Sequence, residues 1–187
     1  MGGSLTREQV DRFNADGYLV VDDLLSPQHD IDPIVAEYAG VLETLARDLH
    51  ERGVIPTTYS ELPFGPRAIR VFQESGSVHA QYFDFSLPAT VSPDTPLWAG
   101  PAVFHALRNE RLLDAVESLI GGEIYSNPIQ HVRIKPPEAV TPTDAEGRIQ
   151  LGATPWHQDN GVQTEEADET EMITVWFPLF TNADVSR

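Results

Sequence analysis

The run Trp156-His157-Gln158-Asp159 sets an imidazole and a carboxylate two residues apart. In an extended segment, positions i and i+2 point to one face with Cα atoms roughly 6.6–6.8 Å apart, so both side chains can converge on one ion. A neutral nitrogen donor with a hard oxygen donor suits ferrous iron in the two-histidine, one-carboxylate triad, which leaves positions open for a co-substrate and O₂. His157 and Asp159 are therefore the candidate catalytic residues and metal ligands. The third ligand should be a later histidine, and none follows His157 in these 187 residues. The pattern reads as an iron centre with one side missing.

Composition narrows the partners. The net charge is −17, with Lys135 the single lysine beside eleven arginines. A nucleic-acid binder carries a basic footprint, and this balance is the opposite. Large polyanionic substrates are disfavoured on the same ground, unless a local arginine cluster receives them. The run Glu165-Glu166-Ala167-Asp168-Glu169 reads as a solvated loop. The absence of cysteine excludes disulfides, zinc-thiolate sites and a thiol nucleophile. No apolar run reaches about 18 residues and no leader pattern is visible, so neither a membrane span nor a signal peptide is expected and a cytoplasmic location is the default. The Met-Gly-Gly-Ser start reads as a flexible leader or an expression scar.

Several elements must hold these residues. Thr6 and Gln9 fit a capping box opening a short helix that reaches Ala15 or Asp16, with Val10 and Phe13 as its buried stripe and Gly17 as its stop. Residues 18–21 read as a strand. Over residues 33–51, Ile34, Tyr38, Val41, Leu42, Leu45 and Leu49 recur at helical spacing, and Gly53 ends the run. Residues 54–100 are expected to be loop with short strands at 69–72 and 81–85. Asn109 caps a helix through Ile120, which Gly121-Gly122 terminates. Residues 123–125, 129–135, 154–159 and 171–180 carry strand character, with a long loop over 136–152. Helices followed by strands suggest a helical layer against a β-sandwich or barrel.

At this point the chain resembles the phytanoyl-CoA dioxygenase family of iron(II)/2-oxoglutarate oxygenases. The resemblance rests on four pieces in order: residues 5–21, Arg133-Ile134-Lys135-Pro136-Pro137, Pro155-Trp156-His157-Gln158-Asp159-Asn160, and Thr174-Val175-Trp176-Phe177-Pro178-Leu179. It implies an α+β fold with a double-stranded β-helix (jelly-roll, cupin-like) core, here incomplete, and N-terminal helices packed on it. The whole chain would then be one domain, mostly helical with short strands over 1–122, and over 123–187 the first part of the jelly roll. Only the first part of a family member is covered. The distal histidine and the arginine that clamps 2-oxoglutarate are missing, so a fragment is the favoured explanation and completion by a partner chain, as in a homodimer, the other.

The resemblance implies Fe(II), 2-oxoglutarate as co-substrate, O₂, and hydroxylation of a small molecule; Asp159, the carboxylate that related halogenases replace, favours that outcome. Desaturation, ring closure and epimerisation remain open, as does a non-catalytic half-jelly-roll that binds a ligand or partner. By resemblance, His131 and Arg133 face the co-substrate, Arg70 matches a position that contacts it, and Trp176 matches a pocket wall. Arg70 and Arg133 equally suit pairing with some of the 29 acidic side chains, His131 suits a supporting hydrogen bond, and Trp176 suits the core. His29, His50, His79 and His105 lack metal-ligand spacing.

Overall fold

Helix formation begins where the chain supplies its own caps. In a computed structural model describing residues 3–83, 100–126, 132–152 and 170–180, the Thr6 hydroxyl accepts from the Gln9 amide at 3.3 Å while the Gln9 side chain accepts from the Thr6 amide at 2.8 Å. This reciprocal pair satisfies two donors that the first turn leaves orphaned. It opens α1 (Arg7–Asp16), which Gly17 closes in the left-handed conformation at φ 76°. None of its residues is fully buried, so Val10 and Phe13 form only a half-covered stripe.

The chain divides into two compact units. One comprises Met1–Ile34, Gly100–Ser126 and Pro155–Leu179. Its helices are α1, a π-helical turn over Pro27–Ile31, and two later helices, α5 (Pro101–Ala106) and α6 (Glu110–Ile120). The turn and α6 share a polar lock. Buried Asp30 accepts from the Ser26 amide at 2.6 Å and from the Asn109 side-chain amide at 2.8 Å, while the other Asn109 side-chain atom, its oxygen, caps α6 at the Leu112 amide. Gly3 and Leu5 dock on α6. The Gly3 amide donates to Asp114, the Leu5 amide to Ser118, and a Cβ on Gly3 would collide with the Arg111 carbonyl. Only glycine permits that approach.

The second unit comprises Val35–Ala99, Asn127–Thr154 and Phe180–Arg187. It contains most of α2 (Asp32–Glu51), with α3 (Phe64–Ser75) and α4 (Ala80–Phe83). Tyr38, Val41, Leu42, Leu45 and Leu49 of α2 are all buried, as their helical spacing predicts. The rings of Tyr38 and Phe83 stand 6.1 Å apart and those of Phe72 and Phe83 5.3 Å apart, so α2, α3 and α4 share one apolar core. Burial, then the Glu37 carboxylate, push the Tyr38 phenol up to about 12.

The expected jelly roll is not what the described residues build. They contain no β-strand; Thr143 and Ile149 form an isolated bridge. Residues 69–72 and 81–83, expected as strands, belong to α3 and α4, because Ala68, Val71 and Phe72 bury the face of a helix. Pro66 is tolerated because it lies in the first turn of α3, where amides lack helical partners. Residues 18–21, 123–125 and 171–178 run without ladder partners among the described residues, and Tyr18 and Val20 are exposed. An alternating pattern becomes a strand only where a neighbouring chain completes the ladder.

Arg67 supplies a stability test. Its guanidinium is buried, bonding the Thr58 carbonyl at 3.0 Å and the Glu43 carboxylate at 2.7 Å, while the Glu43 side chain remains 48% exposed. Removing Glu43 strands a buried cation; removing Arg67 leaves a carboxylate that water can solvate. Glu43→Ala should therefore cost about 2–3 kcal/mol and Arg67→Met about 1 kcal/mol or less, measured by urea unfolding. Equal losses would contradict this asymmetry.

Candidate functional site

Of the stretch that precedes the candidate ligands in sequence, residues 132–152 are described. Over residues 132–135 exposure alternates: Val132 and Ile134 are half-buried, Arg133 and Lys135 exposed. The Ile134 amide donates to the Phe83 carbonyl at 2.7 Å, which ties this segment to the end of α4. Pro136 is buried, and the buried Thr141 hydroxyl bonds the Pro137 carbonyl at 3.0 Å, folding the Pro-Pro turn back on a 3₁₀ turn at Glu138–Val140.

The following loop is internally organised. Lys135 Nζ donates to the Gly152 carbonyl at 3.1 Å, joining the loop's two ends. Gln150 accepts from the Val78 amide and donates to the Gly76 and Thr143 carbonyls, anchoring the loop beside the end of α3. At its tip, Asp144 accepts from the amides of Glu146 and Arg148 and from Arg148 Nε. The Arg148 amide first, aided by the Arg148 guanidinium and the Glu146 amide, holds the Asp144 carboxyl below its ordinary value.

Of the residues singled out by sequence, His131, His157 and Asp159 lie outside the described residues. Arg133 is exposed in the second unit. Arg70 lies in the same unit on α3, where its guanidinium stands 3.9 Å from the Glu74 carboxylate and 5.8 Å over the Tyr59 ring. Trp176 belongs to the first unit and is 82% exposed, so it is not a core residue. Just beyond it, Phe180 stacks on Phe64 at the start of α3, with centroids 5.6 Å apart.

Among the described residues no group of three or more His, Cys, Asp or Glu side chains could hold a metal ion. His79 is engaged otherwise. Its ring lies 2.9 Å from the Ser75 hydroxyl, and burial, then Arg52, lower it to about 4, so it is neutral at pH 7. No described helix is long and apolar enough to cross a membrane. The residue that sequence reading overlooked is Arg67, whose buried position was signalled only by the apolar residues at i+1 and i+4, Ala68 and Val71.

Comparisons with protein-family models, curated proteins and solved structures return no match. The functional reading therefore rests on the chain's own residues.

The loop carries a pH test. A carboxyl held low in the folded state favours folding above its unfolded value and loses that contribution as pH falls through the folded one. Amide-exchange protection at Glu146 and Arg148, corrected for intrinsic rates, should hold above about pH 4 and decline below it. In Asp144→Asn that acid step should vanish. An unchanged step in the variant would show that another group controls the loop.

Proposed function

We propose that this chain takes part in iron(II)- and 2-oxoglutarate-dependent hydroxylation of a small molecule, with His157 and Asp159 as two protein ligands of the iron. The observation that supports the reading is the donor pair in its setting, Lys135-Pro136-Pro137 before it and Trp176-Phe177-Pro178-Leu179 after it. No fold argument is needed, since function belongs to sites and not to architectures.

The donor chemistry fits the metal. An imidazole nitrogen and a carboxylate oxygen are the mixed, moderately hard set that ferrous iron takes with a second histidine. When bound, iron with 2-oxoglutarate and O₂ supplies the oxidising power for attack on an unactivated C–H bond. The protein's own contribution is placement. His157 must present a neutral nitrogen and Asp159 an ionised oxygen. Arg133, exposed beside the Lys135-anchored loop, offers a two-pronged donor to a co-substrate carboxylate. Arg70 could serve similarly only by leaving Glu74 and Tyr59. By the resemblance, His131 and Trp176 would contribute to co-substrate binding. We place the activity in the cytoplasm with a small-molecule substrate, a homodimer as the assembly, and neither nucleic acid nor a membrane as partner.

Anaerobic calorimetric titration with Fe(II) tests the donor pair directly. His157→Ala and Asp159→Ala should each weaken binding at least about 10–100-fold, the loss seen even for groups that only support a metal ligand. His105→Ala should leave it unchanged. Equal affinity in all three variants would sink the assignment and favour a non-catalytic binding protein.

A further inference from the structure

Among the described residues is a surface hollow that the chemistry proposed above does not use. It measures about 340 Å³ and is lined by Pro101, Phe104, His105 and Arg108, on α5 and the residues that follow it. Its volume lies at the lower end of the range of ligand clefts, about 300 to 1,000 Å³, and it is open to solvent, so a small organic molecule would lie against one face only.

Its lining is specific in kind. Phe104 is 59% exposed, and the Arg108 guanidinium stands 5.8 Å over its ring. Arg7, Arg12, Arg52, Arg67, Arg70 and Arg148 stand in ion pairs with carboxylates, whereas the contact of the Arg108 guanidinium is with the Phe104 ring. In a chain of net charge −17, a guanidinium held by an aromatic ring and not by a carboxylate keeps its donors available to an incoming anion. His105 adds ring nitrogens, and Pro101 adds a flat apolar wall.

The backbone beneath is held from two sides. The α5 helix packs against the Pro27–Ile31 turn. The amides of Arg108 and Asn109 close turns on the His105 and Ala106 carbonyls, and the Asn109 side chain is bonded to buried Asp30 at 2.8 Å. Arg108 thus sits one residue from a buried polar lock, which limits the ordering that a ligand must impose.

We infer that this hollow binds a small aromatic monocarboxylate, its ring against Phe104 and Pro101 and its carboxylate on Arg108 and His105. A single guanidinium suits one carboxylate. A polyanion would meet too little positive charge here to offset the acidic surface.

Benzoate is the probe, titrated into the full chain without iron and followed by amide and arginine side-chain NMR shifts, with acetate as the control. The expected result is saturable movement of the Phe104, His105 and Arg108 signals with Kd on the order of 1 mM, and acetate at least about tenfold weaker. Arg108→Gln and Phe104→Ala should each weaken benzoate about tenfold, and Arg47→Gln should not. All three sites are exposed, and far-UV circular dichroism checks that each variant folds. Absence of saturable shifts, or equal binding by acetate and benzoate, or an unchanged Kd in Arg108→Gln would overturn the inference. Because no metal is present, its failure is separable from failure of the iron assignment.

Discussion

The guanidinium of Arg67 is the constraint around which the second unit is arranged. A cation in an apolar core is tolerated only with its hydrogen bonds met and a counter-charge nearby. Thr58 supplies a carbonyl from the loop before α3, and Glu43 supplies the charge from the exposed side of α2. These partners fix the rotation of α3, and with it which side chains turn inward. Ala68, Val71 and Phe72 follow, and Phe72 meets Phe83 on α4. Because Glu43 keeps contact with water, the arrangement avoids the full cost of burying two charges.

From that frame the order extends toward the chemistry. The Phe83 carbonyl receives the Ile134 amide, and Gln150 is held beside Gly76 and Val78, where α3 ends. The loop between them is bound at both ends by Lys135 and Gly152 and tightened at its tip by Asp144. A loop of such length in a compact domain ordinarily serves a site. In sequence it precedes the segment carrying His157 and Asp159.

What could be read from sequence follows a physical line. The helices α1, α2 and α6 were legible because each declares itself locally: the Thr6–Gln9 box, the six-residue apolar stripe of α2, and the Asn109 cap closed by Gly121. The α3 helix was not, because its inward face carries an arginine where an apolar residue is expected, and Pro66 looks like a breaker. Strand assignments at residues 18–21, 123–125 and 171–180 failed for a different reason. Alternation describes what a segment can do, whereas a ladder depends on a partner that the segment does not encode. The candidate site was legible as chemistry, two donors at a metal-compatible spacing, but not as geometry. Resemblance to an oxygenase family raised an expectation of fold that the described residues do not meet.

The central claim is that His157 and Asp159 hold an iron ion able to accept 2-oxoglutarate. The most direct measurement is an anaerobic absorbance titration of the chain with Fe(II), before and after adding 2-oxoglutarate. The account predicts a weak visible charge-transfer band that requires both the metal and the keto acid and is lost in His157→Ala. A band that persists in that variant, or a chain that binds Fe(II) with no change on adding 2-oxoglutarate, would contradict it.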